Sequence, residues 1–243
     1  LDDLSFQLLG TCQQVYTDSG GAFDVTVAPL MHAVGLHRTD GPCSAQDIDR
    51  ARARVGMQHV KLDQADRAIR FMKPGIALDL GAVAKGFAID LAVEVLREHD
   101  VTCALLHGGT STAAAIGSPP EQDAWQIKIH APHGSPEPHK TTLALNDEAM
   151  SVSAPTGRVI ETDGQTIGHV LDPRTGESAM AQPFAAAVGP SACLADAWST
   201  ALLVLGQRPD TMPRDMRAVL PEPAAHISTY STNNSTKLEG VFT

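Results

Sequence analysis

The sequence predicts an α+β fold in a single mixed domain, on three observations. Apolar residues recur at helical spacing at 1–16 and again at 192–206. The stretch between carries short alternating runs bounded by turn residues, not regular strand–helix units. No internal repeat and no clean linker divides the 243 residues, so one domain is expected over 1–243.

Taken in order, the first helix rests on Leu4, Leu8, Leu9, Cys12 and Val15. A glycine-rich turn and a short β-like run follow in "TDSGGAFDVTVAPLM", ended by Pro29. Residues 44–56 read as a surface helix, with Ser44 as N-cap and Asp47 three residues on. Residues 59–72 alternate weakly and predict two short strands. The stretch "DLGAVAKGFAID", from Asp79, opens a long helix with Ala84, Ala88, Leu91, Ala92, Val95 and Leu96 inward and Asp90, Glu94, Arg97 and Glu98 outward. "VTCALLHGG" reads as a buried strand ending in a Gly-Gly turn, and "WQIKIHA" as a half-exposed one. Residues 132–141 form a Pro-rich loop. Strands are expected at 142–145, 149–153, 166–171, 184–188 and 224–230, and a second apolar helix at 192–206.

Composition narrows the function classes. Apolar residues make up 43% and charged residues 19%, ordinary for a globular domain. The formal net charge is -10 with no Lys/Arg run, which argues against nucleic acid and anionic membrane as partners. No stretch is long and apolar enough to span a membrane. A phosphorylated small ligand stays open, because a metal or a helix N-terminus holds phosphate without a basic surface. The four cysteines have no CxxC spacing, so neither a zinc site nor a disulfide framework is indicated; Cys103 and Cys193 read as buried thiols. Nothing in the sequence assigns a compartment.

Three familiar motifs fail. Gly81 and Gly86 have the separation of a Walker loop, but Lys85 precedes the second glycine and Phe87 follows it. No GxGxxG occurs in that stretch. "HGGT" at His107 suggests an esterase oxyanion loop, yet no serine sits in a GxSxG elbow. What the Asp79 stretch offers is positional: a carboxylate and a cation, Lys85, near one helix entry, with glycines that allow close backbone approach. Alone it reads more simply as a tight strand-to-helix turn. "ADAWSTALLVLG" puts Asp196, Ser199 and Thr200 on one helix face, which suits Mg²⁺ or a self-bonded polar stripe. "GHVLDPRTG" is a strand running into a Pro-containing turn, with His169 on the strand as a proton-transfer candidate or a structural histidine.

Taken together, "GGAFDVTVAPL", "LDLGAVAKGFAIDLA", "LLHGG", "SVSAP", "GHVLDPRTG" and "ADAWSTALLVLG" occur in the order found in the FAD:protein FMN transferase (ApbE) family, and the chain resembles that family over roughly residues 19–206. The resemblance implies an α+β fold with a flavin cleft. It implies Mg²⁺-dependent transfer of FMN from FAD to a Thr or Ser hydroxyl of an acceptor flavoprotein, with release of AMP. It further implies that Ala22, Phe23 and Asp24 touch the FAD and that Asp79 and Lys85 line its site. The Gly108–Gly109 turn then admits the ligand to the backbone, and Val170 packs on the flavin. His169 is implied in proton transfer. Magnesium falls to the Ala82 carbonyl, Asp196 and Thr200, with Ser199 where some members carry Asp. Family members also carry a segment ahead of "GGAFD", which this chain is expected to lack, and an Asp after the two glycines, which "HGGTST" does not supply. Two other readings stand beside transfer: an FAD-binding protein without transferase activity, and a Mg²⁺-dependent FAD pyrophosphatase giving FMN and AMP.

Overall fold

The computed structural model describes residues 1–36, 41–130, 140–155, 159–162, 165–221 and 238–240. It is a mixed α+β structure built on a five-stranded, wholly antiparallel sheet.

Helix α1 (Asp3–Asp18) is capped by Asp2, whose carboxylate accepts the Ser5 N–H, and it buries Phe6, Leu8, Leu9, Cys12 and Val15. Leu4, expected inward, is exposed. The β-like run after it is not a strand. Asp24 caps a 3-10 turn at Val25–Val27 that leads directly into α2 (Ala28–Ala33), with Pro29 in its first turn. Helix α3 (Ala45–Arg52) starts at Ser44 as expected: its Oγ accepts the Asp47 N–H and donates to the Asp47 carboxylate at 2.6 Å. Strands β1 (Val60–Asp63) and β2 (Ala68–Phe71) pair as an antiparallel hairpin beside α1.

Helix α4 (Ala84–Glu98) begins five residues after Asp79, and no side chain caps it. Its buried line is Val83, Gly86 and Ile89, not the alanine line the sequence suggested; Ala84, Ala88, Ala92 and Val95 face solvent. The reason is close packing. A Cβ on Gly86 would stand 2.2 Å from the Ala192 carbonyl oxygen, so the bare glycine is what lets α4 cross α5 (Ala192–Leu205). Asp90, expected outward, points to the N-terminus of α5. Its carboxylate accepts Ala192 N–H at 2.7 Å, Cys193 N–H at 2.9 Å and the Ser191 hydroxyl at 2.7 Å.

Strands β3 (Ala104–Gly108), β4 (Thr112–Ile116), β7 (Ala149–Ser153), β10 (Ala185–Gly189) and β11 (Arg217–Val219) form the main sheet in the order β11-β10-β7-β4-β3. Between β4 and β7 the chain makes the hairpin of β5 (Trp125–His130) and β6 (Lys140–Leu145); β5 also pairs with β12 (Leu238–Gly240). Strands β8 (Val159–Thr162) and β9 (Gln165–Gly168) form a separate hairpin. The side-chain period of two sorts the main sheet into two faces. Ala113, Ala115, Met150, Val152, Ala186 and Val188 join Ile127, Ile129 and Leu145 of the β5–β6 hairpin in one core. Ala185 and Ala187 face α5, Ala114 and Ala149 face α4, and Thr112, Ser151 and Ser153 turn to the same helical side.

The expected strand at 224–230 and residues 132–139 of the expected Pro-rich loop lie outside the described residues, and the last two loop positions, 140 and 141, belong to β6. Cys193 is buried, but Cys103 is exposed, with its thiol 3.1 Å from the Ser118 carbonyl at the entry to β3. Among the described residues no helix is long and apolar enough to cross a membrane.

Candidate functional site

A cavity of about 580 Å³ opens where four loop segments meet at the ends of the sheet and of helices α4 and α5. One wall is the turn before α2, with Ala22, Phe23 and Asp24. Beside it, joined by the Asp79 N–H to the Val25 carbonyl at 2.7 Å, are Asp79, Ala82 and Lys85 ahead of and within α4. His169 and Val170, just after β9, form a third side, and Asp196 and Thr200 of α5 form the floor. Ten of the sequence-predicted site residues therefore meet at one cavity. Gly108, Gly109 and Ser199 are not on its wall. The backbone after the Gly-Gly turn reaches it through Thr110 and Ser111, and Ser199 is wholly buried behind Thr200.

Asp196 is the centre of the polar floor. It is 4% exposed, yet five contacts satisfy its carboxylate. Oδ1 accepts from Lys85 Nζ at 3.0 Å, Ser151 Oγ at 2.8 Å and Thr112 Oγ1 at 3.3 Å. Oδ2 accepts from Lys85 Nζ at 3.1 Å and Gly86 N–H at 3.1 Å. A buried carboxylate without such partners would be strongly disfavoured. A continuous helix would give the Gly86 N–H to the Ala82 carbonyl; here it goes to Asp196 and frees that carbonyl for another partner at the cavity wall. Among the described residues, no three His, Cys, Asp or Glu side chains come together. A metal here would thus rest on one carboxylate plus neutral oxygens: Asp196, the Thr200 hydroxyl and the Ala82 carbonyl. That set is hard and oxygen-only, which fits magnesium and not a thiophilic metal.

Asp24 is the second buried carboxylate. Oδ1 accepts Thr26 N–H at 2.8 Å and Thr26 Oγ1 at 2.7 Å, and the same hydroxyl accepts Gly56 N–H at 2.6 Å. Burial pushes its pKa up despite the Thr26 bonds. Asp24 and Pro173 also border a second, polar cavity of about 410 Å³ between the Gly20–Gly21 turn and Gln58. Asp79 accepts the Gly81 N–H at 2.8 Å, so its capping is of a turn and not of α4.

The "DPRTG" turn is locked internally. Asp172 accepts Arg174 N–H, Nε and Nη2 at 2.9, 2.8 and 2.7 Å, and its carbonyl accepts Gly176 N–H at 2.8 Å, with Gly176 at φ +83°. Burial raises the Asp172 pKa, but the Arg174 bonds and charge outweigh it and leave the carboxyl below its ordinary range. Buried Leu171, bridged to Ser178, joins this turn to His169 and Val170, which fixes where they enter the cavity.

Sequence reasoning missed Thr112, Ser151 and Ser153. The signal was present in "AMSVS", where period two puts both serines on one face, but the face becomes legible only once β7 is known to pack on α5.

Comparison with known proteins places the fold in a family. A family model described as the ApbE family matches residues 1–216. The chain is 30% identical over 194 residues to the FAD:protein FMN transferase of Klebsiella pneumoniae, covering 76% of this chain and 55% of that protein. It is 29% identical to the protein of the same name from Treponema pallidum, covering 77% and 56%. The chain therefore spans about half the length of these curated relatives. The crystal structure of the Pseudomonas stutzeri flavinyl transferase ApbE, apo form, superposes with a TM-score of 0.71 at 30% identity, over 84% of this chain and 64% of that one. The ApbE protein of Thermotoga maritima gives 0.75 at 25% identity, over 85% and 67%. The ordered motifs, the shared fold and the match across nearly the whole chain have one reading: this chain belongs to the ApbE family.

Proposed function

We propose that the chain transfers FMN from FAD to a Thr or Ser hydroxyl of an acceptor flavoprotein, with Mg²⁺, and releases AMP. One observation carries the reading. The buried Asp196 carboxylate, flanked by neutral oxygens, forms the floor of a cavity of the size that holds a nucleotide, with His169 on the same wall system. The names of the relatives support the same chemistry.

In this reading the acceptor oxygen attacks the phosphorus of the FMN half of FAD. The new phosphoester bond forms as the bond to the bridging oxygen breaks, and AMP leaves with that oxygen. His169 takes the proton the hydroxyl must lose, since an alcohol is a poor nucleophile at neutral pH. Phe23, Val170, Met31 and Leu36 supply apolar surface for the flavin ring. Lys85 keeps a positive charge next to the pyrophosphate position. Asp196, Thr200 and the Ala82 carbonyl would hold the magnesium ion, whose charge offsets that building on the phosphate oxygens.

The test is incubation with FAD, Mg²⁺ and an acceptor carrying an Asp-x-x-Thr-Gly-Ala/Ser-Thr segment. The expected result is an FMN-sized mass increase on the acceptor, stoichiometric AMP, and loss of both with EDTA. FAD bound unchanged would mean binding alone. Free FMN and AMP with unlabelled acceptor would mean a pyrophosphatase.

A further inference from the structure

Behind Thr200 lies a chain of hydroxyls whose proton directions are fixed by their contacts. Ser199 Oγ sits 2.9 Å from the Asp196 backbone carbonyl oxygen, Ser153 Oγ sits 2.8 Å from Ser199 Oγ, and Thr200 Oγ1 sits 3.2 Å from Ser153 Oγ. Each hydroxyl has one proton and two lone pairs. A carbonyl oxygen only accepts, and two oxygens 2.9 Å apart with no proton between them repel. Ser199 therefore spends its proton on the Asp196 carbonyl. Ser153 must then donate across the 2.8 Å contact, which leaves Thr200 as donor to Ser153. The reversed direction would spend the one Ser153 proton on Thr200 and leave none between the Ser153 and Ser199 oxygens, 2.8 Å apart.

We propose that Ser153, backed by Ser199, is a positioning residue that draws the Thr200 proton into the protein, so that Thr200 presents lone pairs and not its hydrogen to the cavity. Thr200 is then built to meet a cation and cannot donate to a phosphate oxygen. The same logic holds for its neighbour. Ser151 gives its proton to Asp196 Oδ1 at 2.8 Å, and Thr112, 2.9 Å from Ser151 and 3.3 Å from Asp196 Oδ1, shares its one proton between them, so the carboxylate is also pre-aimed. Ser199 belongs to this relay and not to the ligand set. The inference rests on the metal reading given above and goes beyond it, because it concerns the residues that orient the ligands.

The test uses the full chain and measures Mn²⁺ binding by the paramagnetic resonance of the free ion, with and without FAD. Ser153→Ala is expected to weaken Mn²⁺ about tenfold or more, while its metal-free thermal midpoint stays within a few degrees of wild type. Ser153→Thr, which keeps the hydroxyl, restores affinity. Thr200→Val weakens binding by a similar factor, and the Ser153→Ala/Thr200→Val double variant is no weaker than Thr200→Val alone, because Ser153 acts through Thr200. If Ser153→Ala does not fold, Ser199→Ala carries the same expectation. Ser153→Ala binding like wild type, while Asp196→Asn loses the ion, would overturn the positioning role and leave the metal reading intact. Wild type and Asp196→Asn binding alike would overturn the metal reading itself, and this inference with it.

Discussion

Among the described residues two glycines lie inside helices, and the structure predicts opposite outcomes for the same substitution at each. At Gly86 an added Cβ would fall 2.2 Å from the Ala192 oxygen, 2.6 Å from its carbonyl carbon and 2.8 Å from Cys193 Cα, all backbone atoms that no rotamer change can move. Taking about 3.5 Å as an ordinary carbon contact, α4 must withdraw by roughly 1 Å from α5. That retreat lengthens the Gly86 and Lys85 bonds to Asp196, now 3.0–3.1 Å, beyond useful range. Overpacking of this kind costs about 1–3 kcal/mol, and a weakened bond to a charged group adds about 1–2 kcal/mol. Better helix propensity returns about 1 kcal/mol. The net for Gly86→Ala is about 1–4 kcal/mol destabilising, a fall in melting temperature of roughly 2–16 °C for a chain of this size. At Gly10 in α1 nothing lies within 4 Å of the built Cβ, so Gly10→Ala is expected to stabilise by about 0.5–1 kcal/mol. Thermal and urea unfolding of both variants is the assay. A Gly86→Ala protein that melts at or above wild type would refute the close crossing of α4 and α5.

Other expectations follow from the same geometry. Asp90→Ala strips three donors at the start of α5 of their acceptor and should cost about 2–4 kcal/mol in urea unfolding; Asp90→Asn, which keeps one acceptor oxygen, should cost less. Lys85→Met leaves the buried Asp196 without its cation, so the rise in melting temperature on adding Mg²⁺ should exceed that of wild type; an equal rise would contradict the pairing. Asp24 has a raised folded pKa, so its burial penalty is absent below about pH 3.8, the ordinary aspartate value, and grows as pH rises through the folded value. The stability of Asp24→Asn relative to wild type should therefore increase from pH 4 to pH 7, as read by thermal melts; a flat difference would refute the burial effect. An aromatic disulfide reagent should label exposed Cys103 in the native protein, whereas Cys12, pushed by burial to about 12, and Cys193, also raised by burial, should react only after unfolding, as mapped by peptide mass.

Much of this was legible in the sequence because the elements obey local rules. Ser44 announces α3 through its own cap, and the apolar spacing of α1 and α5 marks both helices. What escaped local rules was set by neighbours. The alanine line of α4 looked like its core face, but Gly86 and Ile89 are buried because α5 crosses there, and the smallest side chain marks the closest approach. "FDVTV" has β composition, yet Asp24 binding the Thr26 N–H curls it into a 3-10 turn. Cys103 sits in an apolar run but one residue before β3, where the chain is still at the surface. For the site, the ordered motifs of the family resemblance, not residue types alone, implied which groups lie together, while hydroxyl direction depends on a strand–helix contact between Ser153 and Ser199, 46 residues apart.

The clamp of Asp90 on the first turn of α5 also decides what in this molecule is free to move. Asp90 ties α5 to α4 at one end, and Gly86 seats α4 on Ala192 with no slack, so Lys85, Asp196 and Thr200 travel as parts of one rigid body. Slow, matched amide exchange along α4 and α5 would be the dynamic signature of that fixed anvil.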